Sequence, residues 1–317
     1  MIWANLLHLS TNMWSDRKRP QGLPRTDGIS YFNESLQFDD GLWQEVTGRM
    51  VEAGMNMVVI DLGDGVRYES HPEIAVKGAW TPARLGRELR RLRKLGLEPI
   101  PKLNFSAAHD AWLGPYSRMV STDAYYQVCR DLIAEVISLF DKPRFFHLGM
   151  DEESTRHLES LQYELVVIRQ YDLWWHDLQF LVKQVERGGV RPWIWSDHLW
   201  RHGEEFLKRM PRSVLQSNWH YGRSFGAKVT GIRAYLILEE HGYDQVPTGS
   251  NLAGHDWASP DNFERTVPWC AKHISPARLH GFLQTTWRPT TARYRQDHLD
   301  AVERVTRAKA KLERKGR

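Results

Sequence analysis

Two consecutive carboxylates, Asp151 and Glu152, end the run Phe146-His147-Leu148-Gly149-Met150. Acids at a strand end can simply cap the helix that follows, or they can move protons on a bound substrate. Glycosidic hydrolysis needs one carboxylic acid to protonate the leaving oxygen and a second group to trap or stabilise the oxocarbenium-like centre. In the usual retaining design two carboxyl groups face each other about 5 to 5.5 Å apart, which neighbours on one strand end are poorly placed to do. Adjacent acids suit another division of labour. One protonates the glycosidic oxygen while the other orients a nucleophile carried by the substrate itself, a 2-acetamido group.

Further polar and aromatic groups follow other apolar runs: Asp61 and Asp64, then Asn104 and His109, then Trp195, Asp197 and His198. Asn218, Trp219 and His220 come next, followed by Ser250 and Asn251 and, last, Trp287. To act together they need a scaffold that brings strand ends to one place. Short apolar runs predict strands at Asn5 to Ser10, Met55 to Leu62, Glu98 to Asn104, Phe145 to Gly149, Arg191 to Ser196, Ser213 to Ser217, Asp244 to Gly249 and Leu279 to Thr285. Between them lie helical patterns such as Arg84 to Leu95, with Leu85, Leu89, Leu92 and Leu95 on one face and Gly96 as the stop, and Ala124 to Phe140. Eight alternations without a linker or composition break predict an α/β fold, a (β/α)8 TIM barrel, as a single domain over residues 1–317 with a basic C-terminal helix at about 295–317. Barrel sites sit at the carboxyl ends of the strands, so the acids, histidines and indoles fall on one rim, as a carbohydrate site requires. The opposite rim carries Asn56, Pro99, Pro143 and Pro192, which suit turns.

The stretch His147 to Glu152 resembles the H-x-G-G/A-D-E signature of the family 20 glycoside hydrolases, the β-N-acetylhexosaminidases. Asp61 to Thr81, with His71-Pro72-Glu73-Ile74 and Gly78-Ala79-Trp80-Thr81, is similar to that family's strand 2 loop, and Pro101 to Trp112 to its strand 3 segment. The resemblance runs over about residues 50 to 290, and the Asp-Glu motif is its specific part. It implies a (β/α)8 hydrolase with substrate-assisted catalysis: Glu152 as general acid and then base, Asp151 holding the acetamido N–H, and Asp64 orienting His109, which touches the acid. It also implies that Trp195, Trp219 and Trp287 form an aromatic box for the acetamido group. Asp197, Asn218, His220 and Asn251 are expected hydroxyl binders. His147 is expected to be a buried hydrogen-bonding residue.

Departures from the family pattern concern sugar recognition. Leu7 to Asn12 holds no arginine, Gly249, Ser250 and Asn251 stand where a tyrosine and an aspartate are usual, and Arg288 and Pro289 follow Trp287 where an acid is usual. Met150 replaces a small residue, and Lys102 and Asn104 occupy positions that are acidic in the family. Two other readings stay open: a two-carboxylate glycosidase pairing Glu152 with Asp197 or Asp64, and a catalytically idle barrel that binds glycans.

With 41% hydrophobic and 26% charged residues among 317, the chain can bury a large core and is neither fibrous nor disordered. Fourteen tryptophans exceed the usual share. Trp3, Trp43, Trp174, Trp175 and Trp269 are expected to pack, while Trp14, Trp80, Trp112, Trp193, Trp200 and Trp257 have no assigned role from sequence. A net charge of +4, with the basic residues dispersed, points away from nucleic acid. Much of that charge lies between Arg304 and Arg317, on a helical pattern read as a solvated terminal helix. Cys129 and Cys270 form no disulfide framework or ligand spacing and read as buried thiols. No His, Asp or Glu spacing predicts a metal site, and no cofactor is expected. The partner implied is a carbohydrate containing an N-acetylhexosamine; no membrane span is expected, homo-oligomerisation is left open, and the unremarkable start MIWANLLHLS makes the cytoplasm the expected location.

Overall fold

A computed structural model describes residues 1–18, 31–153, 169 and 171–315. Eight parallel strands form its centre: β1 (Ile2–His8), β2 (Met57–Asp61), β3 (Glu98–Lys102), β4 (Phe145–His147), β5 (Arg191–Trp195), β6 (Leu215–Ser217), β7 (Thr248–Ser250) and β8 (Gly281–Thr285). The hydrogen-bonded order is β6-β5-β4-β3-β2-β1-β8-β7. Isolated bridges from Gln216 to Gln245 and from Trp219 to Thr248 join β6 to β7 and close the circle. The predicted (β/α)8 barrel is therefore present, and each expected strand overlaps an observed one. Boundaries moved most in β1 and β7: β1 begins at Ile2 rather than Asn5, and the regular part of β7 is confined to Thr248–Ser250.

The described helices are α1 (Asp40–Glu52), α2 (Pro82–Lys94), α3 (Asp123–Leu139), α4 (Asp172–Arg187), α5 (Gly203–Arg209), α6 (Thr230–Glu240), α7 (Asn262–His273) and α8 (Arg295–Lys315). Their starts are chemically marked. Asp39, Thr81 and Thr122 accept from the backbone N–H of Leu42, Arg84 and Tyr125, satisfying amides that the first helical turn leaves without partners. Leu85, Leu89 and Leu92 are buried along α2 as their spacing predicts, whereas Leu95, expected on the same face, is the C-cap residue and is exposed.

Strands covered on both faces read as near-continuous apolar runs, and β2 is buried at every position. One face looks outward to the helices. The other fills the barrel with Ile2, Ala4, Leu6, Met57, Val59, Ile100, Phe145, Trp193, Leu215, Val246 and Leu283. Above this plug, toward the carboxyl ends, the inward positions turn polar or aromatic: His8, Asp61, Lys102, His147 and Trp195 are all buried. Lys102 and Asp61 form a fully buried ion pair, with His8 Nδ1 3.4 Å from the same carboxylate. Burial opposes the charge on Asp61, but Lys102 and His8 together hold its pKa below the usual carboxylate value. Cys129 and Cys270 are free and buried. No described helix is long and apolar enough to cross a membrane.

Candidate active site

The chain leaves β4 in a strained conformation. Gly149, Met150 and Glu152 have φ of 72°, 74° and 60°, the left-handed region that non-glycine residues rarely enter. At Gly149 a side chain is excluded outright, because a Cβ would fall 2.0 Å from Asn104 Oδ1. Side-chain acceptors hold the turn. Asn104 Oδ1 accepts from Met150 N at 3.2 Å, Asp197 Oδ2 accepts from Glu152 N at 2.9 Å, and His147 Nδ1 accepts from Gly149 N at 3.1 Å. Ser106 Oγ donates to the Asp151 carbonyl at 2.5 Å. The next residue, Glu153, pairs with Arg169, whose guanidinium is also 3.2 Å from Asp177 in a buried network.

This turn separates the two acids in direction while His109 bridges them. His109 Nδ1 lies 3.1 Å from Asp151 Oδ1, and Nε2 lies 3.3 Å from Glu152 Oε2. Burial disfavours a charged imidazole, but the Asp151 carboxylate, helped by Glu152, raises the His109 pKa to about 10. Burial likewise works against the Asp151 carboxylate, yet His109, Lys102 and a 2.9 Å hydrogen bond from Asn104 Nδ2 hold its pKa far below the ordinary value. Asp151 is thus an anion fixed by three neighbours. Asp197 moves the other way: desolvation and then the charge of Asp151 raise its carboxyl. His109, Asp151 and Glu152 each offer a ligand atom within 4.8 Å of the others, a spacing that a cation would also accept. Sequence spacing predicted no such group, because Asp151 lies on the β4 loop and His109 on the β3 loop.

These groups line a cavity of about 170 Å³. Its walls are Trp14, Trp195, Trp219, Tyr221, Trp257 and Trp287, with Met13, Leu252, His255 and Arg288 completing the rim. Trp195 and Trp287 meet at 6.0 Å between centroids, and Trp14 stands edge-on to Trp287 and His109. Trp219 stacks on Tyr221 at 5.1 Å, and Trp287 Nε1 donates to the Tyr221 hydroxyl at 3.1 Å. Trp287 itself has φ 53°, another left-handed residue at this rim.

The sequence-predicted residues therefore divide. Asp151, Glu152, His109, Trp195, Trp219 and Trp287 share the cavity. Asp197 supports it from behind, accepting from Glu152 N and, at 3.3 Å, from Trp219 Nε1. Asp64, expected to orient His109, instead accepts from Ser10 Oγ and from Asn12 Nδ2, so it ties the β2 loop to the β1 loop. The carboxylate on His109 Nδ1 is Asp151. Burial raises the Asp64 pKa to about 7 against those hydrogen bonds. Three expected hydroxyl binders are turned to structural partners. Asn218 spans the Gly231 carbonyl and Trp200 Nε1, His220 packs edge-on to Phe225, and Asn251 spans Asp297, Asp300 and Gln284. Asn218 and Asn251 are committed to these hydrogen bonds.

Of the six indoles without a sequence-assigned role, Trp14 and Trp257 line the cavity, Trp80, Trp112 and Trp193 are buried in the core, and Trp200 packs on Trp219 at 4.5 Å. Trp43, Trp174 and Trp175 are buried, and Trp3 and Trp269 pack at the core's edge, as expected. Tyr221, His255 and Arg288 were not singled out as site residues. A signal for Tyr221 did exist: in extended chain, residue i+2 faces the same way as residue i, so Tyr221 follows Trp219 into the cavity.

No family model and no curated protein matches this sequence. Among solved structures the chain is similar to a family 20 exo-β-N-acetylglucosaminidase from Vibrio harveyi in complex with N-acetylglucosamine, with a TM-score of 0.66 and 13% identity over 97% of this chain and 54% of that one. The chain has the fold of the family 20 glycoside hydrolase barrel. The family 20 likeness extends to a β-N-acetylhexosaminidase from Bacteroides fragilis (TM-score 0.63, 13% identity, 95% of this chain and 65% of that chain). The chain is similar also to the pneumococcal virulence factor StrH (TM-score 0.64, 12% identity, 98% of this chain and 83% of that one). The chain spans between about half and two thirds of the length of the first two structures. At this identity the family 20 likeness is one of backbone.

Proposed function

We propose that this protein is a retaining glycoside hydrolase acting on N-acetylhexosamine-containing carbohydrate, with the 2-acetamido group of the substrate as nucleophile. The observation that carries this reading is the carboxylate inventory of the cavity. Among the described lining residues Asp151 and Glu152 are its acids, they are consecutive, and His109 links them. Of the carboxylates that the sequence offered as partners for Glu152, neither Asp197 nor Asp64 lines the cavity; Asp197 caps Glu152 N and Asp64 is bound to Ser10 and Asn12. That favours substrate assistance over the two-carboxylate alternative.

In the proposed reaction Glu152 donates its proton to the glycosidic oxygen as the C1–O bond breaks. The acetamido carbonyl oxygen bonds to C1 from the opposite face and forms a bicyclic oxazolinium ion. Asp151, kept anionic by His109, Lys102 and Asn104, accepts the acetamido N–H and offsets the positive charge that develops on the ring. Glu152, now a carboxylate, takes a proton from the water that attacks C1, and the two inversions leave the configuration retained. Trp195, Trp219 and Trp287 exclude water around the methyl group, while the Tyr221 O–H offers a hydrogen bond to the carbonyl oxygen. Aryl N-acetylhexosaminides compared with plain aryl hexosides, with and without a thiazoline inhibitor, test the reading. Selective cleavage of the acetamido substrates and thiazoline inhibition are expected; equal cleavage of plain hexosides without inhibition would sink it. Full activity of Glu152→Gln would favour the idle barrel instead.

A further inference from the structure

Besides Asp151, Glu152, His109, Tyr221 and the indoles, the polar side chains that line the cavity among the described residues are His255 and Arg288. Neutral sugar hydroxyls both donate and accept, and are well served by carboxylates and amides. Asn218, His220 and Asn251 could have supplied that chemistry, but none of the three lines the cavity. What stands there is a guanidinium, which only donates, through five N–H groups in a planar fork. Arg288 is partly enclosed, with a side chain 22% exposed, and its acidic neighbour Asp297 lies at 4.0 Å from Nε, the outer limit of an ion pair. Its Nη1 also donates to the Trp287 carbonyl at 3.3 Å, and its guanidinium lies 5.8 Å from the centre of the Tyr294 ring. These contacts hold the group in the cavity lining, with Asp297 its one acidic ion-pair partner among the described residues. His255 also lines the cavity, 5.3 Å from the Trp257 ring.

From this guanidinium in the cavity lining we infer that the sugar bound here carries an oxyanion substituent, a carboxylate, sulfate ester or phosphate ester, received by Arg288. The inference rests on the amino-sugar hydrolase reading and narrows its substrate class to acidic amino sugars. An oxyanion matches the guanidinium fork with paired, charge-assisted hydrogen bonds, which a neutral hydroxyl cannot do.

The test compares kcat/KM for a neutral aryl N-acetylhexosaminide with its 6-sulfate, its 6-phosphate and an analogue bearing a carboxyl group. At least one charged substrate is expected to be preferred by about tenfold or more, and Arg288→Gln is expected to bring that ratio to about one. A ratio near one in the wild type, or one unchanged in an Arg288→Gln protein that melts like the wild type, overturns the inference, because the arginine is then a hydroxyl grip or a wall. Binding of the free sugars, 6-sulfated, 6-phosphorylated, carboxylated or neutral, to Glu152→Gln needs no turnover and separates the two readings. If no substrate is cleaved but a charged sugar binds about tenfold tighter, the oxyanion site stands and the hydrolase reading falls. If the neutral substrate is cleaved and no charged sugar is preferred, the reverse holds.

Discussion

His109 becomes charged by its position between two carboxylates, and this can be read out as stability. Its pKa rises on folding from 6.5 to about 10, although burial works against the charge. A group whose folded pKa lies above its unfolded one stabilises fully below the unfolded value and loses that effect as pH climbs through the folded value. The stability gap between wild type and His109→Gln, measured by denaturant titration, is therefore expected to be wide near pH 6 and to close between about pH 7 and 10. A constant gap would mean a neutral imidazole. Asp64 has the same sign for another reason: burial lifts its pKa from 3.8 to about 7, so the folded state loses stability as pH rises through that window. Asp64→Asn should gain on wild type between about pH 4 and 7, whereas a charged relay aspartate would make the variant worse at high pH. For the chemistry, Glu152→Gln should lower kcat by roughly 10²-fold or more with a smaller change in KM. On the proposed mechanism Tyr221→Phe removes one hydrogen bond to the acetamido group and should cost roughly 10- to 100-fold in kcat/KM on acetamido substrates.

At the scale of elements, the decisive piece is the short turn that leaves β4. Two non-glycine residues at φ 74° and 60° store backbone strain, and Asn104 and Asp197 hold them there by accepting from Met150 and Glu152. The motif was legible in sequence as Gly-x-Asp-Glu, but not the strain, since nothing in the residue types of Met150 or Glu152 announces a left-handed conformation. Gly149→Ala should displace Asn104 and with it Asp151, lowering stability by roughly 2 to 4 kcal/mol and activity by more than Asn104→Ala alone. Lys102 and Asn104 stood in the sequence as departures from an acidic pattern. In the fold Asn104 donates to Asp151 and Lys102 lowers its pKa, so both contribute to keeping Asp151 ionised. The expected sites at Asn218, His220 and Asn251 failed for a shared reason. Strand-end position was predicted from apolar runs, but rotation about the strand axis past the last regular residue was not, and it decides whether a side chain meets the cavity or the neighbouring loop.

For the whole molecule, function depends on closing the circle, because β8 brings Trp287 to the residues of β4 and β5. The seam between the first and last strands is tight. Ile2 N donates to the His280 carbonyl at 2.8 Å, and a Cβ on Gly281 would lie 2.1 Å from the Ile2 carbonyl oxygen. Gly281→Val is expected to part β1 from β8 and abolish both stability and activity, followed by thermal melting. On the outside, α8 fastens the barrel: Arg304 and Lys311 meet the buried Glu264 carboxylate of α7 at 2.9 and 2.6 Å, and Lys309 Nζ donates to the Ala53 and Gly54 carbonyls that end α1. Read as a solvated basic tail, this helix is in fact a clasp through Arg304, Arg307, Lys309 and Lys311. Burial opposes ionisation of Glu264, but Lys311 and Arg304 lower its pKa, so its contribution is present at neutral pH and lost as pH falls through the folded value. Glu264→Gln should cost about 1 to 3 kcal/mol at pH 7, a difference that shrinks in acid.

The sequence by itself determined the barrel, its eight strands, the acid pair and the three indoles, because periodic burial and a contiguous motif are local properties that survive in one dimension. Tertiary structure alone decided that Asp151 is the carboxylate on His109 Nδ1, that Trp14 and Trp257 join the cavity, and that Asp64 ties two loops together. Those facts turn on which way a loop side chain points after its strand ends. That direction is set by hydrogen bonds to loops from distant strands, and such pairings leave no period in the chain.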